Sequence, residues 1–195
     1  MKKKLKTILS IFFFLCFLRF EASGAVSIGD NSATVEVKVF SSLTCPHCAN
    51  FHLNIFENLK KDYIDSGKVM FKHFSFPLDL AALNAEKILR CTPDKNLSFK
   101  MMDEIYKKQN FWAVGSDIKK INKLLIEVVE NFGLTKKDLQ LCLQDEKLQD
   151  KILEERINAQ KKYKITSTPT IFINEKKYEK DQNYKTFKKE IDKNL

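Results

Sequence analysis

Arginine is nearly absent from this chain of 195 residues: Arg19, Arg90 and Arg156 stand among 34 basic residues. That lysine bias, together with many Phe, Ile and Asn, fits an AT-rich genome and carries no chemistry. Glycine and proline are sparse too, at 5 and 4, which excludes a low-complexity chain. No internal repeat is visible. The longest apolar run, Ile8 to Leu18, is too short for a membrane-spanning helix of ~20 residues. One Cys-x-x-Cys is present, but no second close pair of ligands accompanies it, so a structural zinc site lacks half its donors and no metal is expected. Ala49, not histidine, follows the second cysteine, which excludes haem attachment. Part of the net charge of +9 lies in residues 1–25, where Lys2, Lys3, Lys4, Lys6 and Arg19 face one acid, Glu21. The remaining lysines are scattered along helical segments beside Glu or Asp. They form no basic face interleaved with aromatics, so a nucleic-acid partner is not expected.

The N-terminus has the layout of a secretory signal. Lys2 to Lys6 is a basic segment, Ile8 to Leu18 an apolar one, and Ala22, Ser23, Gly24 and Ala25 offer small residues for cleavage after Gly24 or Ala25. Residues 1–25 are therefore expected to be a signal peptide for export, with a periplasmic location; an uncleaved membrane anchor is the competing reading. Phe13-Phe14-Leu15 before Cys16 lacks the small residues of a lipidation site. Once Cys16 leaves with the signal, Cys45, Cys48, Cys91 and Cys142 remain, an even number in an oxidising compartment.

Along the mature chain, Thr34 to Phe40 alternates, with Val35, Val37 and Val39 on one side and Glu36 and Lys38 on the other. Period two with β-branched residues predicts a strand. A helix is expected from Pro46 to Asp65, with Cys48, His52, Ile55, Phe56, Leu59 and Tyr63 on its inward face and Gly67 as its stop. Lys68 to Phe76 reads as the next strand, so the unit is a parallel crossover. Helices alone follow, near 79–91, 95–109, 116–131, 135–143 and 145–162, with Asp94, Ser116 and Thr135 as candidate N-caps and Gly133 as a stop. Thr170 to Asn174 is then a short strand, paired back by Lys177 to Glu179, and a last helix covers 183–192. The chain is thus α/β, with 26–78 and 164–195 forming a mixed-sheet domain split by a helical insertion at 79–163.

The chemistry lies where the first strand feeds the first helix, at Thr44-Cys45-Pro46-His47-Cys48. Proline suits the first helical position, because its missing N–H has no partner there anyway. Cys45 then becomes the N-cap, with its sulfur over the positive end of the helix, where an anion is favoured and a thiol pKa falls. His47, as a donor, is expected to add to this. Cys48 lies one turn in. Cys45 is therefore the expected exposed nucleophile and Cys48 the buried resolving thiol. A stabilised thiolate exists only in the reduced pair, so the oxidised pair should donate its disulfide. Thr168-Pro169 stands just before the short strand Thr170 to Asn174, where proline is allowed.

These features resemble the DsbA family of thioredoxin-fold proteins: a strand, Cys-Pro-His-Cys opening a helix, an all-helical insertion and a Thr-Pro before a hairpin. The likeness covers essentially all of the mature chain. It implies a thioredoxin-like fold and a cis Thr168–Pro169 peptide facing the disulfide. It also implies backbone pairing of Thr168 with an extended substrate, and disulfide formation in secreted proteins that carry free thiols. Reoxidation would come from a quinone-linked membrane partner of the DsbB type, with no cofactor in the protein itself. Two positions depart from the pattern. Val39 stands where thioredoxin-fold proteins often bury a carboxylate, leaving Lys72 as a side chain expected to reach beneath Cys48. Thr168 is closer to the isomerase branch, so an isomerase or reductase working from the reduced pair is the alternative, although residues 26–33 leave no room for a dimerisation domain. A binding or holdase module using the surface near Pro169 is the non-enzymatic alternative.

Cys91 and Cys142 are expected to form a structural disulfide across two helices; two free thiols or a second redox pair are the other readings. His52 is expected in the core, His73 in a structural role, Lys107 and Lys108 on a solvated face. Phe111 and Trp112 are expected in a loop of the helical block, packing there.

Overall fold

The computed structural model describes residues 25–195. The expected signal peptide and Cys16 lie outside the described residues. A five-stranded sheet has the order β1-β3-β2-β4-β5, with β2 and β3 parallel and the other neighbours antiparallel. Strand β2 is Val35–Ser41 and β3 is Val69–Ser75. The alternation in β2 has the expected consequence. Val35, Val37 and Val39 enter the main core, whereas Phe40 on the opposite face enters a second cluster with Phe74, Phe76, Tyr163 and Phe172. Strand β1, Val26–Ile28, was not anticipated, because three residues carry no readable period. Gly29 follows it at φ +117°, where a Cβ would also collide with the Val69 carbonyl.

Helix α1 joins β2 to β3. It runs without interruption through α-helical Pro46–Phe51, π-helical His52–Phe56, α-helical Glu57–Leu59 and π-helical Lys60–Ile64. All six residues expected on its inward face are buried. Gly67 ends it in a left-handed conformation at φ +74°. Between β3 and β4 come α2 (Leu80–Leu89), α3 (Lys95–Lys107), α4 (Gln109–Trp112), α5 (Ile118–Val129), α6 (Lys136–Gln144) and α7 (Glu146–Tyr163). The hairpin β4–β5 is Thr170–Ile173 with Lys176–Lys177, and α8, Tyr184–Asp192, closes the chain.

The caps explain where the sequence reading was off by a residue or two. Asp94 and Thr135 cap as expected, Thr135 through a full capping box with Asp138. Asp117, not Ser116, caps α5, because its carboxylate reaches the N–H groups of Lys119 and Lys120. The helix expected over 95–109 stops at Lys107, and Gln109–Trp112 forms a separate turn. There Trp112 is fully buried and donates to the Ile105 carbonyl at 2.8 Å, while Phe111 is exposed.

Packing joins the helical block to the sheet. Phe56 of α1, Phe71 of β3 and Phe99 of α3 meet with ring centroids 4.5–6.0 Å apart. Cys91, just past α2, is bonded to Cys142 of α6, and Lys87 donates to the Leu143 carbonyl at 2.6 Å beside it. Among the described residues no helix is long and apolar enough to cross a membrane.

The Cys91–Cys142 bond closes a loop with a sequence separation of 51, for which chain entropy gives about 4 kcal/mol of stabilisation. Cys91→Ser with Cys142→Ser should lower the urea-unfolding free energy by up to about that amount while leaving the far-UV circular dichroism spectrum of the folded protein unchanged.

Candidate active site

The sheet brings together two segments 123 residues apart. Phe40 near the end of β2 pairs with Thr170 at the start of β4. The chain leaving β2 therefore runs beside the chain entering β4, and Cys45 faces Thr168. The Thr168–Pro169 peptide is cis, and the Cys45 S–H donates to the Thr168 carbonyl at 3.4 Å. Cys45 is the N-cap of α1, extended at φ −81°, ψ 120°, with Pro46 in the first helical turn. Its carbonyl accepts the N–H groups of Cys48 and Ala49, each at 3.1 Å, and its own N–H donates to Ser42 at 3.1 Å. Cys45 and Cys48 are free thiols here.

The two sulfurs are electrostatically unequal. Hydrogen bonding from the Cys48 thiol is the largest influence on Cys45. Burial opposes it, and the Thr168 side chain and the backbone N–H groups of Cys48 and His47 add to it, bringing the Cys45 pKa down from 9.0 to about 5. Cys48 moves the other way: burial first, then the neighbouring Cys45, push its pKa far up. At neutral pH the first sulfur is an anion and the second keeps its proton. A thiolate of this kind is both a nucleophile and a good leaving group.

Two expectations need correction. His47 contributes through its backbone N–H; its ring is exposed and makes no side-chain hydrogen bond among the described residues. Cys45 is also less open than expected, keeping 7% of its surface against 1% for Cys48, because the Thr168–Pro169 loop closes over it.

The inserted helices hold the same loop from the other side. The Gln109 side-chain amide donates to the carbonyls of Leu43, at 2.8 Å, and Cys45, at 3.2 Å. Thr44 donates to Asp79 at 2.8 Å, and the Leu78 N–H reaches the Ser42 hydroxyl at 3.4 Å. No local pattern singled out Gln109, since one buried glutamine in a helical turn has no sequence signature.

Beneath the pair, Val39 is buried as an apolar residue. Lys72 does not reach this space. It lies on the opposite face of the sheet and pairs with Glu36, because alternation in β3 sends it away from α1. His73, registered beside Val39, faces the core instead. Its Nε2 lies 2.9 Å from Glu86 of α2, which also accepts from Ser75 at 2.6 Å. Burial alone would raise the Glu86 carboxyl, but His73, Arg90 and Ser75 outweigh it and hold it below its ordinary value. His52 is in the core as expected, bound to Asp103 and stacked on Phe56. Burial keeps its pKa below the ordinary imidazole value despite Asp103.

Fold and site together define a thioredoxin-fold protein with a Cys-x-x-Cys pair at a helix N-terminus facing a cis-proline loop. The chain belongs to the thioredoxin family, whose model, described as thioredoxin, matches residues 21–193. Within that family its likenesses lie with DsbA proteins. Wolbachia pipientis α-DsbA1 superimposes with a TM-score of 0.79 at 29% identity, over 87% of this chain and 89% of that one. A Bacillus cereus relative named as a disulfide bond formation protein D is 30% identical over 188 residues, which is 90% of this chain and 81% of the relative. A Rickettsia bellii relative carrying the name protein-disulfide oxidoreductase is 31% identical over 75% of this chain. The chain spans only 56% of that relative, and about half of the other rickettsial relatives it matches.

The geometry makes two measurable claims. The Cys45 pKa is depressed on folding, so its stabilisation of the reduced protein is complete above pH 9 and disappears as pH falls toward 5. At pH 7 it amounts to roughly 3 kcal/mol. The melting temperature of the reduced form relative to the oxidised form should therefore decline steadily from pH 9 to pH 5, and alkylation of Cys45 should titrate with a midpoint near 5. Separately, Gln109→Leu removes the side-chain donor from the Leu43 carbonyl and one of the three donors from the Cys45 carbonyl and should cost about 1–3 kcal/mol in urea denaturation.

Proposed function

We propose that this protein is an exported thiol–disulfide oxidoreductase that donates the Cys45–Cys48 disulfide to secreted proteins with free thiols. The observation that carries the reading is the contrast between the two sulfurs, one held as an anion and the other kept protonated by burial. A thiolate stabilised from 9.0 to about 5 stabilises the reduced pair at pH 7 relative to one with an ordinary thiol. At ~1.4 kcal/mol per pKa unit and ~30 mV per such step, the oxidised pair is roughly 60 mV more oxidising than one with an ordinary thiol.

In this reading Cys45 and Cys48 are the catalytic pair, with Pro46 and the His47 backbone shaping the helix start. A substrate thiolate attacks the Cys45 sulfur, and the Cys45–Cys48 bond breaks with its electron pair on Cys48. A second substrate thiolate then attacks the substrate sulfur of the mixed disulfide and releases Cys45 as its stable anion. The substrate leaves oxidised and the pair reduced. Thr168 and Pro169 border Cys45 and are the proposed substrate contacts, with the Thr168 backbone pairing an extended strand. Reoxidation is assigned to a quinone-linked membrane protein of the DsbB type. Residues 1–25 act as the export signal to the periplasm, 26–78 and 164–195 as the thioredoxin-like unit and 79–163 as the helical insertion. The names of the Bacillus cereus and Rickettsia bellii relatives point the same way.

Equilibration of the pair with glutathione, followed by mass spectrometry, tests the direction. A potential near or above that of a glutathione-buffered oxidising compartment, and oxidation of a reduced dithiol peptide that is lost in Cys45→Ser, are expected. A strongly reducing potential with a near-ordinary Cys45 pKa would move the protein to the reductase or isomerase class. Full retention of activity in Cys45→Ser with Cys48→Ser would leave only a binding module.

A further inference from the structure

Cys48 has a problem that the stabilised Cys45 does not solve. When the pair is attacked at Cys45, Cys48 departs as an anion in a place where only 1% of its surface meets water. The Ser42 N–H and the Thr168 side chain favour that charge, but Thr168 is shared with Cys45. The other polar side chains nearby are already engaged: His52 with Asp103, His73 with Glu86, and Ser75 between Glu86 and Arg90.

Among the described residues two buried hydroxyls, those of Thr168 and Tyr106, have no hydrogen-bond partner; the Thr168 backbone sits against Cys45, whereas Tyr106 comes from the inserted helices. It lies in α3, is 3% exposed, and its hydroxyl is a buried polar atom with no hydrogen-bond partner. Such a group ordinarily costs about 1–3 kcal/mol. Its placement follows from two contacts. Gln109, three residues further along, donates to the Cys45 carbonyl. The Tyr106 ring itself lies 4.9 Å, centre to centre, from that of His52, one turn beyond Cys48 on the inward face of α1. The hydroxyl sits beside Ser41 at the end of β2, whose own hydroxyl faces the tyrosine oxygen as a donor and leaves the tyrosine proton unused. Burial, followed by charge on Cys48 and on Glu86, raises its pKa well above the ordinary tyrosine value, so it stays a donor.

We propose that the Tyr106 hydroxyl is a donor held free for the moment when Cys48 carries charge, and that it governs how readily Cys48 leaves the Cys45–Cys48 disulfide and attacks to re-form it. In the resting dithiol, Cys48 keeps its proton and gives it to the Cys45 thiolate as a hydrogen bond, so Tyr106 has nothing to donate to. As a thiolate bonds to Cys45 and the electron pair of the broken bond passes to Cys48, the Tyr106 O–H turns toward that sulfur, and Cys48 then takes its proton from water. The reverse step, with Cys48 deprotonated to attack a mixed disulfide at Cys45, uses the same contact. Tyr106 is thus a positioning residue supplied by the inserted helices. This rests on Cys45–Cys48 being the exchanging pair, and not on the direction in which the pair works.

The test is Tyr106→Phe, which removes the hydroxyl and keeps the ring. Reduction of the oxidised protein by dithiothreitol, and its re-formation from oxidised dithiothreitol, are followed by stopped flow. Both rates should fall about tenfold, equivalent to ~1.4 kcal/mol in the barrier. The equilibrium constant and the pH midpoint of Cys45 alkylation should stay within twofold and about 0.3 pH units, because neither resting state uses the contact. Unchanged rates, or a change in one rate that shifts the equilibrium, would overturn the proposal. If Tyr106→Phe unfolds, 3-fluorotyrosine placed at position 106 retains the shape with a stronger donor. Rates above those of the native protein support the proposal, and rates equal to or below them overturn it. A native protein whose Cys45–Cys48 disulfide does not exchange with dithiothreitol at all would instead refute the underlying assignment of the pair.

Discussion

Everything at this site depends on two thiols three residues apart existing in opposite electrostatic worlds. Cys45 caps a helix, so the positive helix start and the backbone N–H groups of His47 and Cys48 favour charge on its sulfur. Cys48 lies one turn deeper, where losing water makes charge expensive. Each condition widens the gap between the pair, since hydrogen bonding lowers one thiol and burial raises the other. The separation comes from the helix axis carrying one sulfur at its mouth and the other into the core. The short hydrogen-bonded path between them then adds the Cys48 proton to the forces that keep Cys45 an anion.

The helical block is part of that arrangement. Gln109 holds the carbonyls of Leu43 and Cys45, the residues on either side of Thr44, and Asp79 holds the Thr44 hydroxyl. The loop that presents Cys45 is thus clamped between β4 on one side and the inserted helices on the other. A loop pinned at so many carbonyls keeps Cys45 in an extended conformation, and only there does its side chain lie over the helix end. The covering loop that leaves Cys45 nearly closed to water also supplies the Thr168 side chain that favours the thiolate, so low exposure and part of the thiolate stabilisation have the same origin.

A chain of buried polar groups marks the seam between the sheet and the inserted helices. Arg90 of the helical block bridges Ser75 and Glu155, while Glu86 accepts from Ser75 and faces His73. Burying such groups is costly unless each finds partners. Here Glu86 has one on each of its two oxygens, His73 and Ser75, and the network fixes how the block sits against β3. The apolar Val39 beside it leaves the sheet itself without a buried acid, and the acid near the site arrives from the insertion.

How much of this was legible beforehand follows from the range over which each interaction acts. The first strand and first helix were readable because their side-chain periods, two and 3.6, are local properties of the backbone. The position of Cys45 as a cap followed from the proline beside it. β1 was not readable, because its partner β3 specifies it and its own three residues do not. Lys72 was assigned to the wrong face even though strand alternation decides its side, because the direction in which α1 packs is not written in β3. Gln109, Glu86 and Tyr106 carry no signature at all, since each owes its role to residues far away in the chain. The Cys-Pro-His-Cys segment by itself determined which sulfur caps the helix and which lies inside it. Only the folded chain decided what lies over and under that pair, because a hydrogen bond across more than a hundred residues exists only once the sheet and the inserted helices have packed.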